Sequence, residues 1–257
     1  MQGKGQFLHA RLSLDDFLTK GMKAAFPNAL TLGNLISGAI AFLCLSYGQS
    51  DLAVWLVGVS LLADFFDGAL ARRLGVSSPL GKELDSLADV VSFGIVPGMI
   101  FYGLISASLS RGAWPEGLHI HALPAFVLSA FAALRLGKFN LDERQQHGFI
   151  GLPTPSVTLF SVGLLLAYEK GILEAWFNPW VLYALVAVLC WLMHAPVPMF
   201  SLKFKSAGWV GNEIKYIFVL VSLVLLFLFK GVAFAGIISM YVGLSVGLYL
   251  WKRKNSI

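Results

Sequence analysis

Long unbroken apolar runs, rather than alternating apolar and polar faces, dominate this chain. A helix needs about 20 mostly apolar residues to cross the hydrocarbon of a bilayer, where it satisfies its own backbone hydrogen bonds. Eight stretches meet that requirement: residues 28–47, 51–71, 85–107, 120–139, 153–172, 176–194, 213–230 and 232–251. Turn-rich connectors such as Gly75–Gly81, Arg111–Gly117 and Ala195–Pro198 lie between them. The pattern predicts an all-α integral membrane protein with about eight transmembrane helices, its residues 27–251 forming a single domain. Residues 1–26 mix Lys, Arg and Asp with single apolar positions and lack the continuous apolar core of a cleavable signal peptide. That segment reads either as an amphipathic helix on the cytoplasmic membrane surface or as a tail, and residues 252–257 read as a basic tail. No internal repeat is evident, so an inverted-repeat transporter gains no support.

Composition agrees. Of 257 residues, 57% are hydrophobic and 13% charged, about half the charged fraction of a soluble domain, and the mean hydropathy is +0.75. The net charge of +5 does not point to nucleic acid, because the cations are scattered between apolar runs. Threaded through eight spans, 16 of the Lys and Arg residues fall on one side, and only Arg111, Lys170 and Lys230 on the other. Basic loops stay in the cytoplasm, so both termini are expected there, in a multi-pass protein of the cell (inner) membrane. Cys44 and Cys190 fall inside apolar runs and suggest neither a disulfide nor a metal site.

Against this background the acids stand out. Four of the eight aspartates, Asp64, Asp67, Asp85 and Asp89, lie at the end of the second span and the start of the third. Asp64 and Asp67 are i,i+3 and Asp85 and Asp89 are i,i+4, so each pair shares a helix face. The connector between them turns the chain back, so that the pairs can face each other. Carboxylates inside a membrane are costly, and converging ones repel one another. Divalent cations with hard oxygen ligands, Mg²⁺ or Mn²⁺, resolve both problems. The charges alone leave three readings open: a catalytic metal site, a proton or cation pathway, and structural pairing.

The neighbouring residues are more specific. The segment from Asp64 to Asp89 reads D-x2-D-G-x2-A-R-x8-G-x3-D-x3-D, through Gly68, Ala71, Arg72 and Gly81. With every fixed position present, it resembles the signature of the CDP-alcohol phosphotransferase family. Gly68 and Ala71 remove bulk beside the acids, and Arg72 offers a fork-shaped cation to a phosphate. The resemblance implies a six-helix catalytic core with its active site facing the cytoplasm. It implies two metals, one held by Asp64, Asp67 and Asp85, the other by Asp64, Asp85 and Asp89, with Asp89 also the general base. It further implies CDP contacts from Gly68, Arg72 and Ser78, and weaker ones from Asn28 and Thr31. These last two can equally be local caps at a helix start. A homodimer is expected by the same analogy.

Four further segments suggest the acceptor. Ser78–Gly94, Arg135–Asn140, Phe149–Pro155 and Pro198–Lys205 resemble the CDP-diacylglycerol–serine transferases within the family, apart from Gly137-Lys138, where Ala-Arg is expected. The implied substrates are CDP-diacylglycerol and L-serine, with glycerol 3-phosphate or inositol phosphate as alternative acceptors. Serine's carboxylate needs a cationic pocket, and Arg135, Lys138 and Asn140 at the end of the fourth span are the candidates. Their competing role is to set topology or reach the lipid headgroups. A carboxylate-lined cation or proton transporter remains the distant alternative; it accounts for the acids but not for Gly68, Ala71, Arg72 and Gly81.

Overall fold

The computed structural model describes residues 3–255, apart from 77, 111–113, 116, 142–149, 173, 175–176, 201–207 and 210. Of the cations counted above, Arg111, Arg144, Lys203 and Lys205 therefore lie outside the described residues. The described residues form helices and no strands; Ile150 and Pro198 meet in one isolated bridge. Among the described residues nine α-helices follow in order: α1 (Gly3–Ser46), α2 (Ser50–Leu74), α3 (Pro79–Val90), α4 (Val96–Leu109), α5 (Val127–Leu141), α6 (Thr154–Glu169), α7 (Pro179–His194), α8 (Glu213–Phe229) and α9 (Ala233–Asn255). A π-helical turn, Val91–Ile95, joins α3 to α4, and a 3-10 segment, Ile120–Phe126, leads into α5.

Among the described residues five stretches are long and apolar enough to cross a membrane: Lys23–Ser46, Ser50–Leu74, Pro79–Leu109, Ile120–Leu141 and Glu213–Asn255. The first four coincide with the first four predicted spans. The fifth contains both of the last two, divided at Lys230–Val232. The predicted spans 153–172 and 176–194 correspond to α6 and α7, which at 16 residues each fall short of the length that spans hydrocarbon without tilt or thinning. At the N-terminus no break marks residue 26: α1 is continuous, with Pro27 inside it.

The core forms around α4. From Val96 to Ala107 every one of its residues is buried, packed among α1, α6, α7 and the segment before α5. Between apolar helices in lipid, close approach replaces the hydrophobic effect as the source of association, and small residues permit it. A Cβ at Gly38 on α1 would lie 2.1 Å from Ser92 Oγ, and one at Gly163 on α6 would lie 2.3 Å from the Ala235 nitrogen on α9. The outer surface is the reverse of a soluble protein's. Trp55, Phe65 and Phe227 are 77%, 63% and 85% exposed, as side chains facing lipid tails are.

Candidate active site

The turn between α2 and α3 brings the acids together. Helix α2 stops at Gly75, whose φ of 64° is left-handed and whose N–H caps the carbonyls of Ala71 and Arg72; a glycine adopts this conformation without strain. Three residues later Ser78 starts α3, its hydroxyl accepting from the Gly81 N–H at 2.9 Å with Pro79 at the first turn. The two helices thus place Asp64 and Asp67 against Asp85, with one carboxylate oxygen from each all lying within 4.8 Å of one another. Asp89, one turn further along α3, is in side-chain contact with Asp64. Asp67 and Asp89 are buried, and Asp64 and Asp85 partly so.

Helix α1 contributes a polar row to the same place. Thr31 Oγ1 donates to Asp67 Oδ2 at 2.6 Å, and Asn34 Nδ2 donates to Asp89 Oδ1 at 3.3 Å. Asn34 is fully buried, and its backbone carbonyl accepts from Ser60 of α2 at 3.2 Å and from Ser92 at 3.0 Å. Ser92 lies in the π-helical turn that follows Asp89 almost directly. Such turns recur at functional sites because they shift side-chain direction within a continuous helix. The capping role weighed for Asn28 and Thr31 does not apply: both lie well inside α1, and Thr31 bonds a carboxylate instead. Asn34, Ser60 and Ser92 were not anticipated. The signal for Asn34 was present, since Asn28, Thr31 and Asn34 recur at three-residue spacing along an otherwise apolar span.

Beside the acids opens a cavity of about 500 Å³, lined by all five residues predicted to contact CDP: Asn28, Thr31, Gly68, Arg72 and Ser78. Asp67 and Asp85 form part of its wall. Two glycines keep it open. A Cβ at Gly68 would lie 3.3 Å from Arg72 Nη1, and one at Gly81 would lie 3.0 Å from Ser78 Oγ and 3.1 Å from Asn28 Oδ1. The predicted acceptor residues separate into three situations. Arg135 is buried and faces Asp89. Lys138 is exposed. Asn140 is engaged, donating to Ser86 Oγ at 2.7 Å while its carbonyl accepts from Lys82 Nζ at 2.8 Å.

Converging, partly buried carboxylates with no ion pair to a Lys or Arg among the described residues fit a hard divalent cation, and Asp64, Asp67 and Asp85 would hold it.

The comparison with known families decides between the remaining readings. Residues 24–192 match the family model of the CDP-alcohol phosphatidyltransferases. The chain belongs to that family. The matched segment contains all four aspartates and every residue that lines the cavity. Among curated relatives, a Bacillus subtilis protein named CDP-diacylglycerol–serine O-phosphatidyltransferase is 36% identical over 143 residues, covering 56% of this chain and 76% of the relative. A protein of the same name from Helicobacter pylori is 36% identical over 147 residues, 56% of this chain and 59% of the relative. One from Methanocaldococcus jannaschii, also so named, is 30% identical over 206 residues, 73% of this chain and 92% of the relative. Membership of a transferase family accounts for the signature residues Gly68, Ala71, Arg72 and Gly81, which a transport pathway does not.

Proposed function

We propose that this membrane enzyme transfers the phosphatidyl group of CDP-diacylglycerol to L-serine, yielding phosphatidylserine and CMP. The observation that carries the reading is the meeting of Asp64, Asp67 and Asp85 oxygens within 4.8 Å, at the wall of a cavity lined by the signature residues Gly68 and Arg72. The shared name of the relatives supports serine as the acceptor.

The nucleotide occupies the cavity between α1 and α2, with its phosphates toward Arg72 and the acids. Arg72 meets a phosphate with a fork of N–H donors. Asp64, Asp67 and Asp85 hold one Mg²⁺ or Mn²⁺, and Asp64, Asp85 and Asp89 a second. Bound divalent cations supply charge neutralisation to the phosphate oxygens. Asp89 accepts the proton of the serine hydroxyl. The serine oxygen bonds to the β-phosphorus of the CDP-lipid, the bond from that phosphorus to the bridging oxygen breaks, and CMP leaves with the electron pair. Asn34 orients Asp89 through the 3.3 Å hydrogen bond. Arg135 receives the serine carboxylate.

The rest of the proposed arrangement rests on the sequence pattern and, for the core and the dimer, on analogy with the family. The chain crosses the cell (inner) membrane eight times around a six-helix core, with both termini and the site on the cytoplasmic side, and it pairs as a homodimer. The basic imbalance of 16 to 3 across the predicted spans supports that orientation.

Labelled L-serine supplied with CDP-diacylglycerol to membranes carrying this chain tests the proposal. Label is expected in an organic-extractable lipid for the wild type and not for Asp89→Asn. Label absent from lipid, with glycerol 3-phosphate incorporated in its place, would reassign the acceptor.

A further inference from the structure

One wall of the acceptor side comes from a helix that lies beyond the matched family segment. Helix α9 begins at Ala233, well past residue 192. Its position is fixed at two levels. Near its start, Gly163 of α6 meets the Ala235 backbone so closely that a Cβ would lie 2.3 Å from the nitrogen. Further along, Ser245 Oγ accepts from the Phe200 N–H at 3.0 Å and donates to the Tyr241 carbonyl at 2.7 Å. Between these anchors stands Tyr241, partly buried, its ring centroid 6.2 Å from that of Phe218 on α8. There the phenol lies within electrostatic range of Arg135 of α5. Among the described residues no hydrogen bond occupies its hydroxyl.

Arg135 is the group whose surroundings call for a ligand. It is only 6% exposed, and its Nε and Nη2 are buried without a hydrogen-bond partner. A guanidinium left so is unfavourable unless an anion completes it, and its planar fork suits a carboxylate or phosphate. The carboxylate it faces, Asp89, belongs to the acidic cluster. Lys138 is exposed and Asn140 is tied to α3, so neither competes for the role.

We propose that Arg135 and Tyr241 together form the subsite for the anionic group of the acceptor alcohol, Tyr241 being a specificity-determining residue supplied by α9. The proposal rests on the transferase function above and deepens it. The acceptor's carboxylate lies against the Arg135 fork and accepts a hydrogen bond from the Tyr241 hydroxyl, which leaves the acceptor's own hydroxyl beside Asp89.

The test uses the full chain in detergent, with CMP release followed against L-serine and against L-serinamide, which keeps the hydroxyl and ammonium but lacks the carboxylate. Tyr241→Phe is expected to raise the KM for L-serine about tenfold, the scale of one lost hydrogen bond to a charged group. The KM for CDP-diacylglycerol, the rate with L-serinamide and the thermal midpoint are expected to match the wild type. Arg135→Lys shifts the same constant, and the double variant shifts it by less than the two effects combined. An unchanged serine KM in Tyr241→Phe, or equal losses with serine and serinamide, overturns the subsite and leaves the transferase function standing. A wild type that uses glycerol 3-phosphate in place of serine sinks the serine assignment, and the subsite then survives only if Tyr241→Phe raises the KM for that acceptor. A folded wild type inactive with every acceptor overturns both.

Discussion

Asn34 on α1 donates its side-chain amide to Asp89 on α3 at 3.3 Å, and its own backbone carbonyl is held by hydroxyls from α2 and from the π-helical turn. Through this one fully buried residue, three helices meet at the carboxylate assigned as general base. Its position explains why a polar side chain persists in the middle of an apolar span. Its amide nitrogen is placed to orient the acid, and its Oδ1 is buried with no hydrogen-bond partner among the described residues.

Replacing it should therefore act on turnover. Asn34→Leu is expected to lower kcat roughly ten- to a hundredfold, as loss of a hydrogen bond to a charged group does, with a smaller change in the KM for CDP-diacylglycerol. Separate measurement of kcat and KM, with a thermal melt to confirm folding, checks this. An unaltered kcat would remove Asn34 from the positioning role.

The acidic cluster makes a prediction whose sign separates metal binding from simple structural pairing. Without metal, Asp64, Asp67 and Asp85 repel one another at close range. Asp64→Asn should then melt higher than the wild type in EDTA. Addition of Mn²⁺ should stabilise the wild type, by about 2.7 kcal/mol at a hundredfold excess over Kd, and should do little for the variant. Thermal unfolding in detergent, with and without Mn²⁺, reads both effects. A wild type indifferent to Mn²⁺ and Mg²⁺ would contradict the metal site.

Gly81 tests the nucleotide cavity. A methyl group there would meet Ser78 Oγ at 3.0 Å and Asn28 Oδ1 at 3.1 Å, from the α3 and α1 sides of the pocket. Gly81→Ala is expected to raise the KM for CDP-diacylglycerol roughly tenfold, within the ~1–3 kcal/mol cost of overpacking, and to leave the KM for serine unchanged. Steady-state kinetics with each substrate varied in turn decides it.

Gly163→Val concerns packing instead. Its Cβ would lie 2.3 Å from backbone, which cannot turn aside as a side chain can. The variant should force α9 away from α6, lower the melting temperature and weaken acceptor binding, because Tyr241 moves with α9. Unchanged stability would contradict a close α6–α9 contact at Gly163.

The first four spans and the acidic quartet were legible in the sequence for different reasons. The spans follow from local apolar length, which requires no knowledge of neighbours. The quartet follows from helical spacing and a turn, Gly75 to Ser78, whose capping residues are recognisable. What could not be read were partnerships between distant positions. Asn34 meets Asp89, Ser60 and Ser92 only because α1 crosses α2 and α3 where it does, and no local pattern specifies that crossing. Asn28 and Thr31 were misplaced at a helix start because the apolar run begins there. In the structure the helix passes through Pro27, and the two side chains face the cavity from its interior. Tyr241 was invisible for a similar reason: half of its meaning lies in Arg135, more than 100 residues earlier in the chain.

The central claim, that four aspartates at the junction of α2 and α3 transfer a phosphatidyl group to serine, is tested most directly by CMP release from purified protein. The assay contains CDP-diacylglycerol and Mn²⁺ or Mg²⁺, with or without L-serine. The account predicts CMP formed in step with serine consumed, abolished by EDTA and by Asp89→Asn. CMP release that ignores serine, or that persists undiminished in EDTA, would contradict it.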